Sequence, residues 1–86
     1  MRSARFGKEI VITSHARDRM RERGIGEGEL LDTIETGERR AAEGRHAFLF
    51  KSHPGRSDNP LCAAVADEDR LVVKTVMIRW RLRERR

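Results

Sequence analysis

Cysteine and aromatic residues are scarce in this chain. Its 86 residues include one cysteine, one tryptophan, three phenylalanines and no tyrosine. A single cysteine excludes a disulfide framework and a cysteine-rich zinc site. Cys62 lies in the apolar run LCAAV, which predicts a buried, unreactive thiol. No apolar run is long enough to cross a membrane or to form a signal peptide, so we predict a cytoplasmic protein without a membrane contact.

Charge is abundant by comparison. Charged residues make up 38% of the chain, hydrophobic residues 37%, and the formal net charge is +5. This length predicts one domain over residues 1–86, with a core at about 10–78 and a basic tail at 79–86. So short a chain gains stability from oligomerisation, which makes a homodimer one expected partner. The basic clusters favour RNA or an acidic protein as partners, although a solvated charged surface explains them equally well.

Two helices are predicted in the first half of the chain. The first covers Ser14–Arg23 with Ser14 as its N-cap, and Gly24 ends it in a left-handed conformation that folds Ile25 back on Met20. Only a few apolar residues form its inner face. We therefore expect this helix to lie across a sheet and to leave one long face exposed to solvent. The second helix covers Glu27–Thr36, and its apolar stripe consists of Leu30, Leu31 and Ile34.

The chain after Gly37 has the pattern of strands. Residues 52–60 (SHPGRSDNP) form a clear loop. The last predicted strand has two largely apolar faces that only Lys74 interrupts, which places it in the interior of a sheet. The predicted strands are residues 10–13, 39–43, 47–51, 61–66 and 71–80. We therefore predict an α+β domain in which two N-terminal helices pack on a curved antiparallel sheet of about three or four strands.

The run SHARDRMRERGI contains the main candidate site. His15, Arg19 and Arg23 recur every four positions and therefore share one stripe of the first helix. His15 is the candidate catalytic residue, because an imidazole can accept or donate a proton near neutral pH. Arg19 and Arg23 are candidate phosphate ligands through bidentate hydrogen bonds. Lys74 and Arg79, on the long strand, are expected to add cations near the same surface.

Each of these side chains also has an ordinary structural interpretation. At the start of a helix, a ring nitrogen of His15 can bond to the local backbone. Arg19 and Arg23 can pair with acidic side chains of the two helices, namely Glu22, Glu27 and Glu29. Both interpretations stay open on the sequence alone.

The other histidines give a weaker pattern. His46 and His53 are candidates, by residue type alone, for a second proton-transfer group, and His53 is most simply a loop residue. Together with His15 and Cys62 they match no metal-ligand spacing. We therefore expect no metal and no cofactor.

The C-terminal segment RWRLRERR is strongly basic. Trp80, between Arg79 and Arg81, either stacks on a base or lies at the rim of the core. The segment as a whole is either a basic arm that folds on RNA or on an acidic partner, or an edge strand of a dimer.

The motif HARDRMRERGI followed by GEGELLDTIETG resembles the domain of unknown function (DUF) 4258 family. That pattern is His-Ala-x-x-Arg-Met-x-x-Arg-Gly-Ile, then a Glu-rich helix that ends in Gly, then a β meander. The resemblance covers residues 12–37 closely and continues in outline to residue 78. The family is similar in architecture to the RelE/ParE-like toxins and other small nucleases, which implies RNA binding or cleavage and an antitoxin-like acidic partner. The chain departs from the active toxins because it has no tyrosine and its sheet offers only a few cations, Lys51, Lys74, Arg79 and Arg81.

Two functions follow as hypotheses. The first is a small toxin-like domain that binds RNA, or cleaves it as a metal-independent endoribonuclease. The second is a non-catalytic protein-interaction module whose cationic surface binds an acidic partner or its own dimer mate.

Overall fold

The computed structural model describes residues 1–81, and within them two short strands come before the first helix. Strand β1 (Arg2–Ser3) pairs antiparallel with β2 (Lys8–Ile12), and Gly7 turns the chain between them with a φ of 65°. The expectation that both helices precede the whole sheet is therefore wrong. β1 has too few residues for a strand pattern, and β2 is only partly apolar. Of the predicted basic tail, residues 82–86 lie outside the described part of the chain.

Both predicted helices are confirmed in their bounds. Helix α1 covers Ser14–Arg23 and helix α2 covers Glu27–Thr36. The N-cap of α1 is Thr13 rather than Ser14, because the Thr13 hydroxyl accepts a hydrogen bond of 3.1 Å from the backbone N–H of Ala16. This cap satisfies one of the N–H groups that a helix leaves without an internal partner. No helix among residues 1–81 has the length and the apolar character that crossing a membrane requires.

Two glycines follow the helices for different reasons. Gly24 has a φ of 63°, and the next backbone N–H bonds to the carbonyl of Met20 at 2.9 Å, which confirms the predicted left-handed ending. Gly37 has no unusual φ, but it is buried where α2 meets the sheet. A Cβ atom at this position would clash with the backbone oxygens of Thr33 and Phe50. Gly37 is therefore required for close packing.

Four more strands complete a six-stranded sheet: β3 (Glu38–Ala41), β4 (His46–Lys51), β5 (Leu61–Asp67) and β6 (Leu71–Met77). The order across the sheet is β1-β2-β6-β5-β4-β3. Neighbouring strands are antiparallel except β2 and β6, which are parallel. The α+β class is confirmed, whereas the expected three or four strands and the purely antiparallel sheet are wrong. The parallel pair joins strands from opposite ends of the chain. Because no short turn connects them, no turn motif in the sequence predicts this pairing.

Strand β6 contains a bulge that changes which side chains face the core. Ala64 pairs with Thr75 and Val65 pairs with Val73, so Lys74 is an extra residue on β6. The alternation of the strand shifts at this residue. The buried side chains of β6 are Leu71, Val73 and Val76, not the two regular apolar faces that the sequence predicts.

The chain leaves the sheet after Met77, three residues earlier than predicted. Arg79 has a φ of 49°, which is incompatible with an extended strand. The backbone N–H of Arg79 donates to the carbonyl of Asp58 at 2.8 Å, and that of Trp80 donates to the carbonyl of Pro60 at 3.1 Å. The loop before β5 therefore holds the segment after β6.

Both helices pack on one face of the sheet, and the core lies between the helices and the sheet. Helix α1 contributes only Ala16 and Met20 to this core, which confirms that its inner face has few apolar residues. The largest fully buried side chains of the core are Leu30, Ile34, Leu49, Leu71, Val65 and Val73. The opposite face of the sheet presents half-buried side chains, among them those of Phe48, Phe50, Thr75 and Met77. This second face contains the candidate site.

Candidate nucleic-acid interface

Three aromatic rings form a cluster on the face of the sheet opposite the helices. Phe48 and Phe50 are two residues apart on β4 and therefore point to the same face. The ring of Trp80 packs against both, with centroid distances of 5.3 Å to Phe48 and 4.6 Å to Phe50. All three side chains are half-buried. Trp80 thus has a defined position on the outer face of the sheet rather than at the rim of the core, and part of its surface is open to solvent.

An open cleft of about 720 Å³ adjoins this cluster. We call it the arginine cleft, because Arg23, Arg79 and Arg81 line it together with Trp80 and Phe48. Among residues 1–81 no acidic side chain lines it. Three guanidinium groups around an aromatic wall create a site that attracts anions and offers a planar ring for stacking.

The three arginines reach the cleft from two elements. Arg23 is the last residue of α1, and its Nη1 donates a hydrogen bond of 2.6 Å to the carbonyl of Val76 on β6. This bond uses one of the five N–H groups of the guanidinium. Arg79 and Arg81 flank Trp80 on the segment after β6, which the bond between Arg79 and the carbonyl of Asp58 fixes in place.

Arg56, in the loop before β5, connects these elements. Its guanidinium donates two hydrogen bonds of 2.8 Å to the carboxylate of Asp58 and two, of 2.9 and 3.1 Å, to that of Glu29. It also donates to the backbone carbonyls of Arg23 at 2.9 Å and Gly24 at 3.0 Å. One side chain thereby joins the end of α1, the start of α2 and the loop that holds the segment after β6.

The charges of this cluster stabilise one another. The hydrogen bonds from Arg56 lower the pKa of Asp58. Burial by itself would raise the pKa of Glu29, but hydrogen bonds from the Gly26 backbone and from Arg56 outweigh it and lower the pKa. Bonds to Asp58 above all raise the pKa of Arg56. The cluster is therefore ionised at neutral pH, and it orients the backbone on which Arg23 and Arg79 stand.

A second cleft, of about 330 Å³, lies on the same face of the sheet. We call it the His46–Lys74 cleft, after two side chains whose Nε2 and Nζ atoms are 3.4 Å apart. Glu43, in the turn between β3 and β4, and Phe48 also line it. Phe48 belongs to both clefts, so the two sites adjoin each other.

A family model covers most of the chain. The model described as a domain of unknown function (DUF4258) matches residues 12–78. The chain belongs to the DUF4258 family. No curated protein and no solved structure matches it. The expected likeness to RelE/ParE toxins therefore has no solved structure in its support.

The DUF4258 domain brings together some of the predicted site residues and separates others. Arg23 and Arg79 line the arginine cleft, and Lys74 lines the adjoining cleft. His15 and Arg19 line neither of these two clefts. Arg19 pairs with Glu22 at 2.5 Å, as one of the structural interpretations predicts, and His15 is an exposed side chain of α1.

The remaining histidine and the cysteine of the DUF4258 domain are buried away from both clefts. His53 is 7% exposed, and its Nε2 lies 2.8 Å from the hydroxyl of Thr33. Cys62 is 1% exposed, and burial raises its pKa to about 12. Within residues 1–81 no three His, Cys, Asp or Glu side chains are grouped closely enough to hold a metal ion.

Arg56, which supports the arginine cleft without lining it, was not predicted from the sequence. The loop SHPGRSDNP marks a turn, and nothing in its spacing shows that Arg56 reaches Glu29 in another element. The cluster of Phe48, Phe50 and Trp80 was detectable only in part. Alternation places the two phenylalanines on one face, but the turn at Arg79 that lays Trp80 over them has no local pattern.

Proposed function

We propose that this DUF4258 domain is a toxin-like protein that binds single-stranded RNA in the arginine cleft. The observation that supports the proposal most directly is the position of Arg23, Arg79 and Arg81 around the ring of Trp80. Sequence-tolerant binding of single strands combines these two elements, a positively charged groove for the backbone and aromatic rings for the bases. In this proposal the arginines bind phosphates, and Trp80 with Phe48 stacks on a base.

The charge of the domain supports the same partner. The net charge is +5, and the part of the arginine cleft formed by described residues has three arginines and no acid in its lining. A protein that neutralises Z phosphates of a single strand loses affinity with salt, and the slope of log K against log[salt] is about −0.7Z. Three arginines therefore predict a slope of about −2.

The only tryptophan of the chain lies in the proposed site, which makes binding directly measurable. We expect a short RNA to quench the fluorescence of Trp80, because a stacked base replaces water on the ring. Anisotropy of a labelled RNA gives the affinity at several salt concentrations. The Trp80→Leu variant is expected to bind about 5- to 150-fold more weakly, which corresponds to the loss of one stacked base.

Two arginine variants test whether the cleft or the overall charge is responsible. Arg81 is exposed in the cleft, and Arg81→Gln should weaken binding and reduce the salt slope by about 0.7. Arg17 is exposed on α1, pairs with Glu27 and does not line the cleft, so Arg17→Gln is the matched control. Equal losses in both variants, or no binding at low salt, would contradict the proposal.

Strand β3 supports a second candidate function, the binding of another protein chain at the edge of the sheet. All four residues of Glu38–Ala41 are exposed, and β3 forms one edge of the sheet within the described residues. Such an edge can pair with a strand of another chain, and Arg39 and Arg40 favour an acidic partner or a dimer mate. If RNA does not bind, light scattering of the wild type and of Arg39→Pro tests dimerisation through this edge, because the N–H of Arg39 points away from β4 and the proline removes this donor.

A further inference from the structure

We propose that the His46–Lys74 cleft is a ribonuclease centre in which these two side chains move the protons of RNA cleavage. The inference rests on the proposed function, because the RNA must first bind in the arginine cleft. It assigns the chemistry to residues on the sheet rather than to His15 on helix α1.

The sheet brings the two side chains together. His46 is on β4 and Lys74 is on β6, and β5 lies between these strands. The two outer strands are therefore separated by about 10 Å. Between His46 and Lys74, β5 presents on this face the small side chains of Ala64 and Ala66, which pair with Phe48 and His46. The long side chains can therefore meet above β5, where Nζ and Nε2 are 3.4 Å apart.

The bulge in β6 contributes to this contact. Lys74 is the extra residue in the pairing with β5, and both Lys74 and its neighbour Thr75 line the cleft. In a regular strand two consecutive side chains point to opposite faces. The bulge thus leaves both Lys74 and Thr75 on the open face of the sheet, where Lys74 is exposed.

The proposed chemistry requires one protonation state of the pair. A lysine ammonium has three donors and no acceptor. In the proposed resting state the Nε2 atom of His46 is the acceptor of this contact, and the ring is neutral with its hydrogen on Nδ1. In this state an unprotonated imidazole nitrogen and an ammonium group lie side by side, as the general base and general acid of the proposed reaction.

The position of the pair relative to the arginine cleft supports a role in cleavage. Phe48 lines both clefts. A base stacked on Phe48 and Trp80 leaves its sugar and the next phosphate at the border of the two sites. The phosphate there would accept hydrogen bonds from Lys74, while the ribose 2′-hydroxyl would face His46.

The cleavage step conserves atoms and protons without a further reactant. When the Lys74 ammonium turns from Nε2 to the phosphate of the bound RNA, the freed lone pair of His46 Nε2 accepts the proton of the ribose 2′-hydroxyl, and the 2′-oxygen forms a bond to phosphorus. The bond from phosphorus to the 5′-oxygen breaks, and that oxygen receives a proton from the Lys74 ammonium. The products are a 2′,3′-cyclic phosphate and a 5′-hydroxyl. The proton on His46 then passes to the Lys74 amine across their contact, which restores both groups.

The test uses the full chain, a labelled single-stranded RNA and EDTA in the buffer. We expect cleavage to a 2′,3′-cyclic phosphate and a 5′-hydroxyl, identified by mass spectrometry, and no cleavage of the same strand with 2′-deoxy sugars. His46→Gln and Lys74→Arg should each slow cleavage by about 10²-fold or more. Lys74→Arg keeps the positive charge but does not release a proton at neutral pH, so it should still bind the RNA in the anisotropy assay.

The outcomes separate this inference from the proposed function. RNA that binds but stays intact, or cleavage that survives in both His46→Gln and Lys74→Arg, overturns the inference and leaves the RNA-binding proposal standing. Cleavage lost in His15→Gln but retained in His46→Gln overturns it in favour of the helix. A strand that does not bind at all contradicts both proposals.

Discussion

Replacement of Arg56 by methionine is expected to destabilise the domain more than any exposed charge does. The variant keeps the aliphatic part of the side chain and removes the guanidinium. Six hydrogen bonds are lost, four to the carboxylates of Asp58 and Glu29 and two to the carbonyls of Arg23 and Gly24. Because the side chain of Arg56 is only 15% exposed, the two carboxylates lose a partner that water does not fully replace.

The size of the effect follows from this partial burial. Removal of one partner of a buried ion pair costs about 3–5 kcal/mol, and an exposed pair contributes about 0–1 kcal/mol. The carboxylates are 35% exposed in Glu29 and 17% exposed in Asp58, so we expect a loss of about 2–3 kcal/mol. For a domain of this length that corresponds to a decrease in Tm of about 10–20 °C.

Urea unfolding followed by the fluorescence of Trp80 measures this loss. Arg17→Met is the matched control, because the Arg17–Glu27 pair is 53% and 57% exposed and should contribute less than about 1 kcal/mol. Arg56→Lys keeps the charge without the planar fork and is expected to give an intermediate loss. Equal stabilities of Arg56→Met and Arg17→Met would refute the view that Arg56 holds the helices and the loop together.

Three further predictions concern single sites. Gly37→Ala should lower the free energy of unfolding by about 1–3 kcal/mol, because the new Cβ would meet two backbone oxygens. Gly28→Ala, at an open position of α2, should raise it by about 0.5–1 kcal/mol. Urea unfolding measures both changes. Because the pKa of Asp58 is lowered in the folded state, the unfolded chain binds a proton at this carboxylate more readily. The contribution of Asp58 to the stability of the fold is therefore complete above about pH 4 and is lost as the pH falls through the folded pKa. The difference in urea midpoint between the wild type and Arg56→Met should accordingly shrink from pH 7 to pH 3, and an unchanged difference would contradict this. Cys62 should not react with a thiol reagent at pH 8 until the chain unfolds, and rapid labelling of the native protein would show that it is not buried.

The helices were predictable because their ends depend on nearby residues. The left-handed Gly24 and the acidic first turn of α2 are properties of a few consecutive residues, and both helix bounds agree with the structure. The N-cap was displaced by one residue, since Thr13 and Ser14 are both able to cap and only the path of the chain from β2 selects Thr13.

The sheet was predictable only where its strands follow one another. Alternation identified β4, β5 and most of β6, which pair as neighbours in the chain. It did not identify the parallel pairing of β2 with β6 or the bulge at Lys74. Both depend on contacts between residues that are far apart in sequence, and such contacts leave no periodic pattern.

The sequence by itself determined the two helices, the α+β class, the basic character and the family to which the domain belongs. Only the tertiary structure decided which cations share a site. Arg19 and Arg23 are equivalent on the helix, yet Arg23 reaches β6 and lines the arginine cleft while Arg19 pairs with Glu22. The physical reason is separation along the sequence. The geometry of a helix places nearby residues on one stripe, but the residues that this stripe contacts come from strands elsewhere in the chain.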